Sequence, residues 1–256
     1  MPVRRSRGAT LSACGRLAGV AVVLCPSPLT RAIAWGALGE RLVRFGHEVV
    51  IADPTDDDDP PYAIRWIAGC AGVADVTGRL ALVGHSGAGP LLPRLGAALR
   101  ARGRTVAAYV FLDASLPRER PGNRLDLLAV EDDAFAAQLR DQLAAGGRFP
   151  AWSDADLAGE VTDPESRRAL LAGLRPRGKA FFDEPLPTAG DGEPGGWPDA
   201  PVGYLLTSPA YERVARIAAS RGWPVVEHPG GHFAALADPD GTAAALDRLL
   251  SALHAP

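Results

Sequence analysis

Short, largely apolar runs fall along this chain at 20–24, 49–52, 80–83, 106–112, 202–207 and 225–227. Runs this short, rich in Val and Leu and without polar alternation, read as strands buried on both faces. Stretches with apolar residues three or four positions apart lie between and after them, at 33–45, 62–73, from Gly89 to about 102, at 211–220 and at 242–253. Strands and helices alternating at this spacing predict an α/β fold. The expected core is a doubly wound, mainly parallel sheet of about six strands, its right-handed crossovers placing helices on both faces.

The alternation stops after Pro117. Residues 118–199 hold short helical patterns at 132–144, 154–160 and 165–174, separated by Pro and Gly, and 183–201 is dense in Pro, Gly and acids. A strandless stretch of this length is too long for a plain connection and predicts an inserted helical cap. The expected organisation is an N-terminal extension over 1–17, a core made of 18–117 and 200–256, and a cap over 118–199. The acidic run from Asp56 to Asp59 reads as a solvated turn.

Composition narrows the classes. A formal charge of −3 over 256 residues leaves no basic footprint for nucleic acid. Cys14, Cys25 and Cys70 are odd in number and lack CxxC spacing, which argues against a disulfide framework and for a reducing, cytoplasmic setting. Arg4, Arg5 and Arg7 precede an apolar run, as in a signal peptide. Arg16 just before that run, and the bulky Leu24 where a cleavage site would need small residues, argue against one. No apolar stretch reaches the roughly 20 residues that span a bilayer, so no membrane partner is expected. Neither a metal-ligand cluster nor a dinucleotide glycine fingerprint occurs, and no cofactor is implied.

The chemistry concentrates where the third strand turns into a helix, at Leu82-Val83-Gly84-His85-Ser86-Gly87-Ala88-Gly89. A turn this tight strains its central residue and needs small neighbours, and it lifts the Ser86 hydroxyl above the sheet. A serine needs a base. Of five histidines, His85 adjoins the serine and should point away from the reacting face, as a packing residue or as a support for the site's own side chains. His47 reads as part of a surface turn, and His254 lies in the tail. His232 sits in the Gly-rich loop Pro229-Gly230-Gly231-His232-Phe233, directly after the last strand, which can return an imidazole over the sheet's C-terminal edge; His228 is the lesser candidate.

Over residues 18–254, apart from the divergent cap, the chain resembles the α/β-hydrolase superfamily. Gly84-x-Ser86 matches its nucleophile elbow and Gly230-Gly231-His232-Phe233 its histidine loop, while the superfamily's two leading strands are missing. The resemblance implies an acid to orient His232. The strand after the cap ends in Leu205-Leu206-Thr207-Ser208 without a carboxylate, whereas the strand before the cap ends in Asp113, a position some members use; Asp113 is the expected acid, and Glu227 a remote alternative. Helix capping is the competing role for Asp113. One oxyanion donor is expected at the Gly87 amide. The second falls in Cys25-Pro26-Ser27-Pro28-Leu29-Thr30, where the prolines have no N–H and Ser27, Leu29 or Thr30 must serve. Of the bulky residues in and near the cap (Phe149, Trp152, Phe181, Phe182, Trp197, Tyr204, Tyr211), some should line an apolar pocket over Ser86. Trp152, Phe182, Tyr211 and Phe233 are the expected substrate contacts.

The expected function is a serine hydrolase that cleaves an ester, thioester or amide of a small apolar molecule through an acyl-enzyme on Ser86. The alternative is a lyase, cyclase or acyltransferase step of specialised metabolism at the same site, and a non-catalytic binding protein ranks third. The expected partner is a small-molecule substrate, a carrier-bound acyl group included. Oligomeric state is not legible.

Overall fold

The computed structural model describes residues 19–55, 58–73, 78–190 and 196–254; the expected N-terminal extension lies outside them. Six strands form one sheet: β1 (Val20–Cys25), β2 (Glu48–Ile51), β3 (Arg79–Ser86), β4 (Thr105–Ala114), β5 (Val202–Leu206) and β6 (Val225–Glu227). They pair in parallel throughout, in the order β2-β1-β3-β4-β5-β6. The chain leaves β1 for β2 on one side and returns to place β3 on the other. The C-terminal ends of β1 and β3 therefore open a crevice at the switch point, where sheets of this kind hold ligands.

Period-two alternation divides the strand side chains between two cores. Ala21, Val23, Cys25, Leu80 and Leu82 enter one core, with α2 (Tyr62–Val73), α3 (Leu92–Arg100) and α9 (Glu212–Ser220). Val20, Val22, Leu24, Ala81 and Val83 enter the other, with α1 (Leu38–Arg44) and α11 (Pro239–Leu253). Each buried Val or Leu contributes about 1.5–3 kcal/mol, and burial on both faces explains why these strands read as unbroken apolar runs.

The helix expected over 33–45 is broken. A 3-10 turn, Ala32–Trp35, precedes α1, because Gly36 adopts φ 48° where a Cβ would meet Leu236 at 2.8 Å. Leu236 lies on α10 (Ala234–Ala237), the short helix after the His232 loop.

Between β4 and β5 lie α4 (Arg124–Glu131), α5 (Asp133–Ala144), α6 (Asp154–Leu157), α7 (Pro164–Ala172) and α8 (Lys179–Asp183). Side chains of Asn123, Asp132, Ser153 and Asp163 cap α4, α5, α6 and α7 by accepting from backbone amides of the first turn. The sequence pattern does not mark α4 and α8. The acidic turn is solvated at Asp58, as the pattern reads it, but it also makes ion pairs. Asp58 binds Arg175 at 2.6 Å and Arg177 at 3.2 Å, tying the loop after β2 to the inserted helices, because both guanidinium groups are buried at its edge. Asp56 and Asp57 lie outside the described residues. Among the described residues no helix is long and apolar enough to cross a membrane.

Candidate active site

The crevice at the switch point continues into a cavity of about 520 Å³ between the sheet edge and the inserted helices. Ser86, Gly87, Ser27, Leu29, His232, Trp152, Phe182, Tyr211 and Phe233 all line it. Asp113 lies behind His232, fully buried.

Ser86 ends β3 with φ 55°, a left-handed conformation that costs an L-residue roughly 1–2 kcal/mol. Packing enforces it. A Cβ at Gly89 would lie 2.1 Å from the Ser115 carbonyl oxygen, and one at Gly84 would meet Leu92 at 3.0 Å. This explains the displaced glycine of the motif: Ala88 is buried where a methyl fits, and residue 89 is where the backbone after β4 crosses the turn. Asp113, one strand over, has φ 39°, a second strained tip that the sequence pattern does not announce. It also corrects the helix-capping alternative, since its carboxylate holds the loop after β5.

Asp113 Oδ1 accepts from the Thr207 amide at 2.6 Å and the Ser208 amide at 3.2 Å, and Oδ2 receives His232 Nδ1 at 3.4 Å. Burial alone would raise this carboxyl, but the hydrogen bond and charge of His232, joined by Ser208 and Thr207, hold it below the usual aspartate value. The anion thereby favours the tautomer with a proton on Nδ1 and leaves the other ring nitrogen free to accept.

Tyr211 completes the immediate surroundings. Its ring stacks on His232 at 5.1 Å and 6°, and its hydroxyl lies 3.4 Å from Ser86 Oγ. Among the described hydrogen bonds none joins Ser86 directly to His232; the hydroxyl turns to the phenol. Burial, then the nearby Glu131 charge, pushes the Tyr211 phenol well above its ordinary value, so it stays protonated.

His85 does not point away, as sequence alternation suggests. The register shift between His85 and Ser86 ends the alternation, and the buried ring donates from Nε2 to the His232 carbonyl at 2.9 Å. Burial, then the charge of His232, lowers it to about 3, so it stays neutral and acts as a prop for the histidine loop. His47 is likewise no surface residue: it is buried and bonds Asp247 on α11 at 2.8 Å. His228 pairs with Asp238 at 3.1 Å, and Glu227 is exposed at the sheet edge, which leaves both out of this arrangement.

In the loop after β1, the Leu29 amide donates to Ser27 Oγ at 3.3 Å and the Thr30 amide to the Ser27 carbonyl at 3.0 Å. Both close the turn, which takes Leu29 away from the oxyanion role expected for it. Ser27 is buried, and its hydroxyl stands 3.6 Å from where a Gly87 Cβ would be, so it flanks the Gly87 amide. Because Oγ accepts from Leu29, its own proton remains available.

One side of the cavity wall is aromatic. Phe149 packs edge-on against Phe135, Trp152 and Phe182, and Trp152 continues to Phe233. Trp197 and Tyr204 belong to the sheet core, Trp197 against Tyr109 and Phe111 and Tyr204 bonded to Ala114. Among the described residues no group of three or more His, Cys, Asp or Glu is arranged to hold a metal ion.

This architecture recurs in solved structures. An extracellular alpha/beta-hydrolase from a Paenibacillus species, described as sharing structural and functional homology with tobacco salicylic acid binding protein 2, superposes with TM-score 0.67 at 15% identity, covering 90% of this chain and 98% of its own. A variant of tomato methylketone synthase I complexed with beta-ketoheptanoate gives 0.66 at 16%, covering 92% and 99%. Polyneuridine aldehyde esterase gives 0.64 at 14%, covering 91% and 99%. At these identities the likeness establishes the fold. No curated protein matches the sequence itself. The family model of the alpha/beta hydrolase family, however, matches residues 8–245, nearly the whole chain. With its all-parallel sheet and the turn at Ser86, the chain belongs to the alpha/beta hydrolase family, as an enzyme of that fold.

Proposed function

We propose that the protein is a serine hydrolase cleaving an ester, thioester or amide of a small apolar molecule, with Ser86 as nucleophile. The observation that carries this is a hydroxyl on a left-handed turn sharing one apolar cavity with a carboxylate-oriented imidazole. On substrate binding the Ser86 hydroxyl leaves Tyr211 and attacks the carbonyl carbon while His232 takes its proton. Asp113 steadies the imidazolium, and the Gly87 amide with the Ser27 hydroxyl receives the charge on the carbonyl oxygen. His232 then returns the proton to the leaving group, and water, activated by the same base, releases the acyl group from Ser86. The aromatic walls formed by Trp152, Phe149, Phe182 and Phe233 select an apolar acyl or alcohol portion, a carrier-bound acyl chain among them. The buried thiols of Cys25 and Cys70, neither of them in a disulfide, favour a cytoplasmic setting.

A non-hydrolytic lyase, cyclase or transfer reaction is the second reading. The loop after β1 favours it, because its prolines and its closed turn leave only Ser27, through its amide or its hydroxyl, to supplement Gly87.

Labelling with a fluorophosphonate, in which Ser86 Oγ displaces fluoride from phosphorus, tests the nucleophile. Label mapped to Ser86 and lost in Ser86→Ala and His232→Ala supports the proposal, and an unlabelled native protein refutes it. Hydrolysis of p-nitrophenyl esters of graded chain length then separates the two readings: labelling without ester cleavage favours the second.

A further inference from the structure

Most charged side chains around the cavity have a structural partner. Arg124 donates to the Phe181 carbonyl and to Glu184, Asp132 caps α5, Asp156 joins Ser153 in capping α6, and Glu160 accepts from the Phe233 amide. Glu131, on the last turn of α4, differs. Among the described ion pairs none includes it. Its carboxyl accepts a hydrogen bond from the Ser115 hydroxyl and faces the Tyr211 hydroxyl, which itself lies 3.4 Å from Ser86 Oγ. A second polar line thus reaches the nucleophile, beside the one from Asp113 through His232.

A phenol has a single proton, so the line has a direction. With Glu131 ionised, the strongest acceptor within reach of Tyr211 is the carboxylate, and the phenol proton turns to it. The phenol oxygen is then an acceptor only, and the Ser86 hydroxyl donates to it, away from the base. With Glu131 neutral, its own proton can go to the phenol oxygen. The Tyr211 proton then turns to Ser86 Oγ, which leaves the serine proton for His232.

We propose that Glu131 is a positioning residue which, acting through Tyr211, decides whether the Ser86 proton is held by the phenol or released toward His232. The inference rests on Ser86 being the nucleophile. Burial pushes the Glu131 carboxyl up to about 7, against the opposing pull of Ser115, the His232 charge and Tyr211, while the Asp113 charge adds to the rise. Both states are therefore populated near neutrality. The remaining charges around it do not supply a fixed counter-ion. Asp132 follows it on the chain, Arg118 across the outer groove is paired with Asp126, and Arg221 at the end of α9 lies over Trp223. Glu119 and Arg120 line that same groove.

The test is the rate of fluorophosphonate labelling of the full chain as a function of pH, for the native protein, Glu131→Gln and Tyr211→Phe. Glutamine keeps the neutral hydrogen-bonding pattern at every pH, and phenylalanine removes the arm. The native rate should fall on the alkaline side of neutrality, and both variants should lose that fall. At about pH 8.5 only ~3% of the native carboxyl is neutral, so Glu131→Gln should label up to ~30-fold faster, with rates converging within about twofold near pH 6. An alkaline fall that persists in Glu131→Gln, or a uniform loss of rate at all pH values, overturns the inference and leaves the nucleophile standing. No labelling of the native protein at any pH overturns both.

Discussion

Asp113 carries two separable duties, and two substitutions should divide them. In Asp113→Asn the oxygen must stay with the Thr207 and Ser208 amides, which donate to Oδ1 at 2.6 and 3.2 Å, because an amide nitrogen cannot face two N–H groups. The new NH₂ then points at His232 Nδ1, at the 3.4 Å position of Oδ2, and forces Nδ1 to accept. The ring proton moves to the other nitrogen, which can no longer take the serine proton. Turnover should fall ~10³–10⁴-fold. The fold should weaken only slightly, since asparagine tolerates the left-handed backbone well.

Asp113→Ala removes the acceptor as well. Two buried amides lose their partner at about 1–3 kcal/mol each, and alanine at φ 39° costs about 1 kcal/mol more. The sum, about 3–7 kcal/mol, corresponds to roughly 10–20 °C in Tm for a chain of this size. Ester turnover and thermal denaturation of both variants, measured together, are the assay. Turnover of Asp113→Asn within tenfold of native would refute the orientation argument. Equal melting of the two variants would refute the anchoring one.

Two further outcomes follow from the same geometry. Gly89→Ala should destabilise by about 3 kcal/mol or more in denaturant titration, because its Cβ would sit 2.1 Å from the Ser115 carbonyl oxygen and backbone must move; a neutral result would mean the turn can relax. The Glu131 carboxyl, raised from 4.5 to about 7 in the folded state, binds more protons folded than unfolded between those values, so stability should decline as pH rises through that window. The upper limit is ~3 kcal/mol, and Glu131→Gln should abolish the decline in melts run from about pH 4 to 8.

The sheet was legible because its inner strands are buried on both faces: Val20 to Leu24 and Leu80 to Val83 can be nothing polar, and hydrophobic runs with helices between them leave few topologies. Ser86 was legible for a local reason, since a tight strand-to-helix turn restricts neighbouring residues whatever lies elsewhere. His232 followed from its place after the last strand. The helices α4 and α8 were not marked by the pattern, and Phe233, Trp152 and Phe182 meet in one wall only after the inserted segment folds over the sheet edge. The loop after β1 could be narrowed by its prolines, but the loss of the Leu29 amide to Ser27 is a matter of turn geometry. Tyr211 was visible as an aromatic substrate contact but not as the hydroxyl partner of Ser86, and Glu131 only as one acid among 30 Asp and Glu. Their nearness to Ser86 arises across 125 and 45 residues of chain, where no local pattern constrains side-chain direction. Composition and periodicity determine which residues must be buried and which turns are tight; the environment of a carboxyl, and hence its charge, is decided by the partners that packing brings to it.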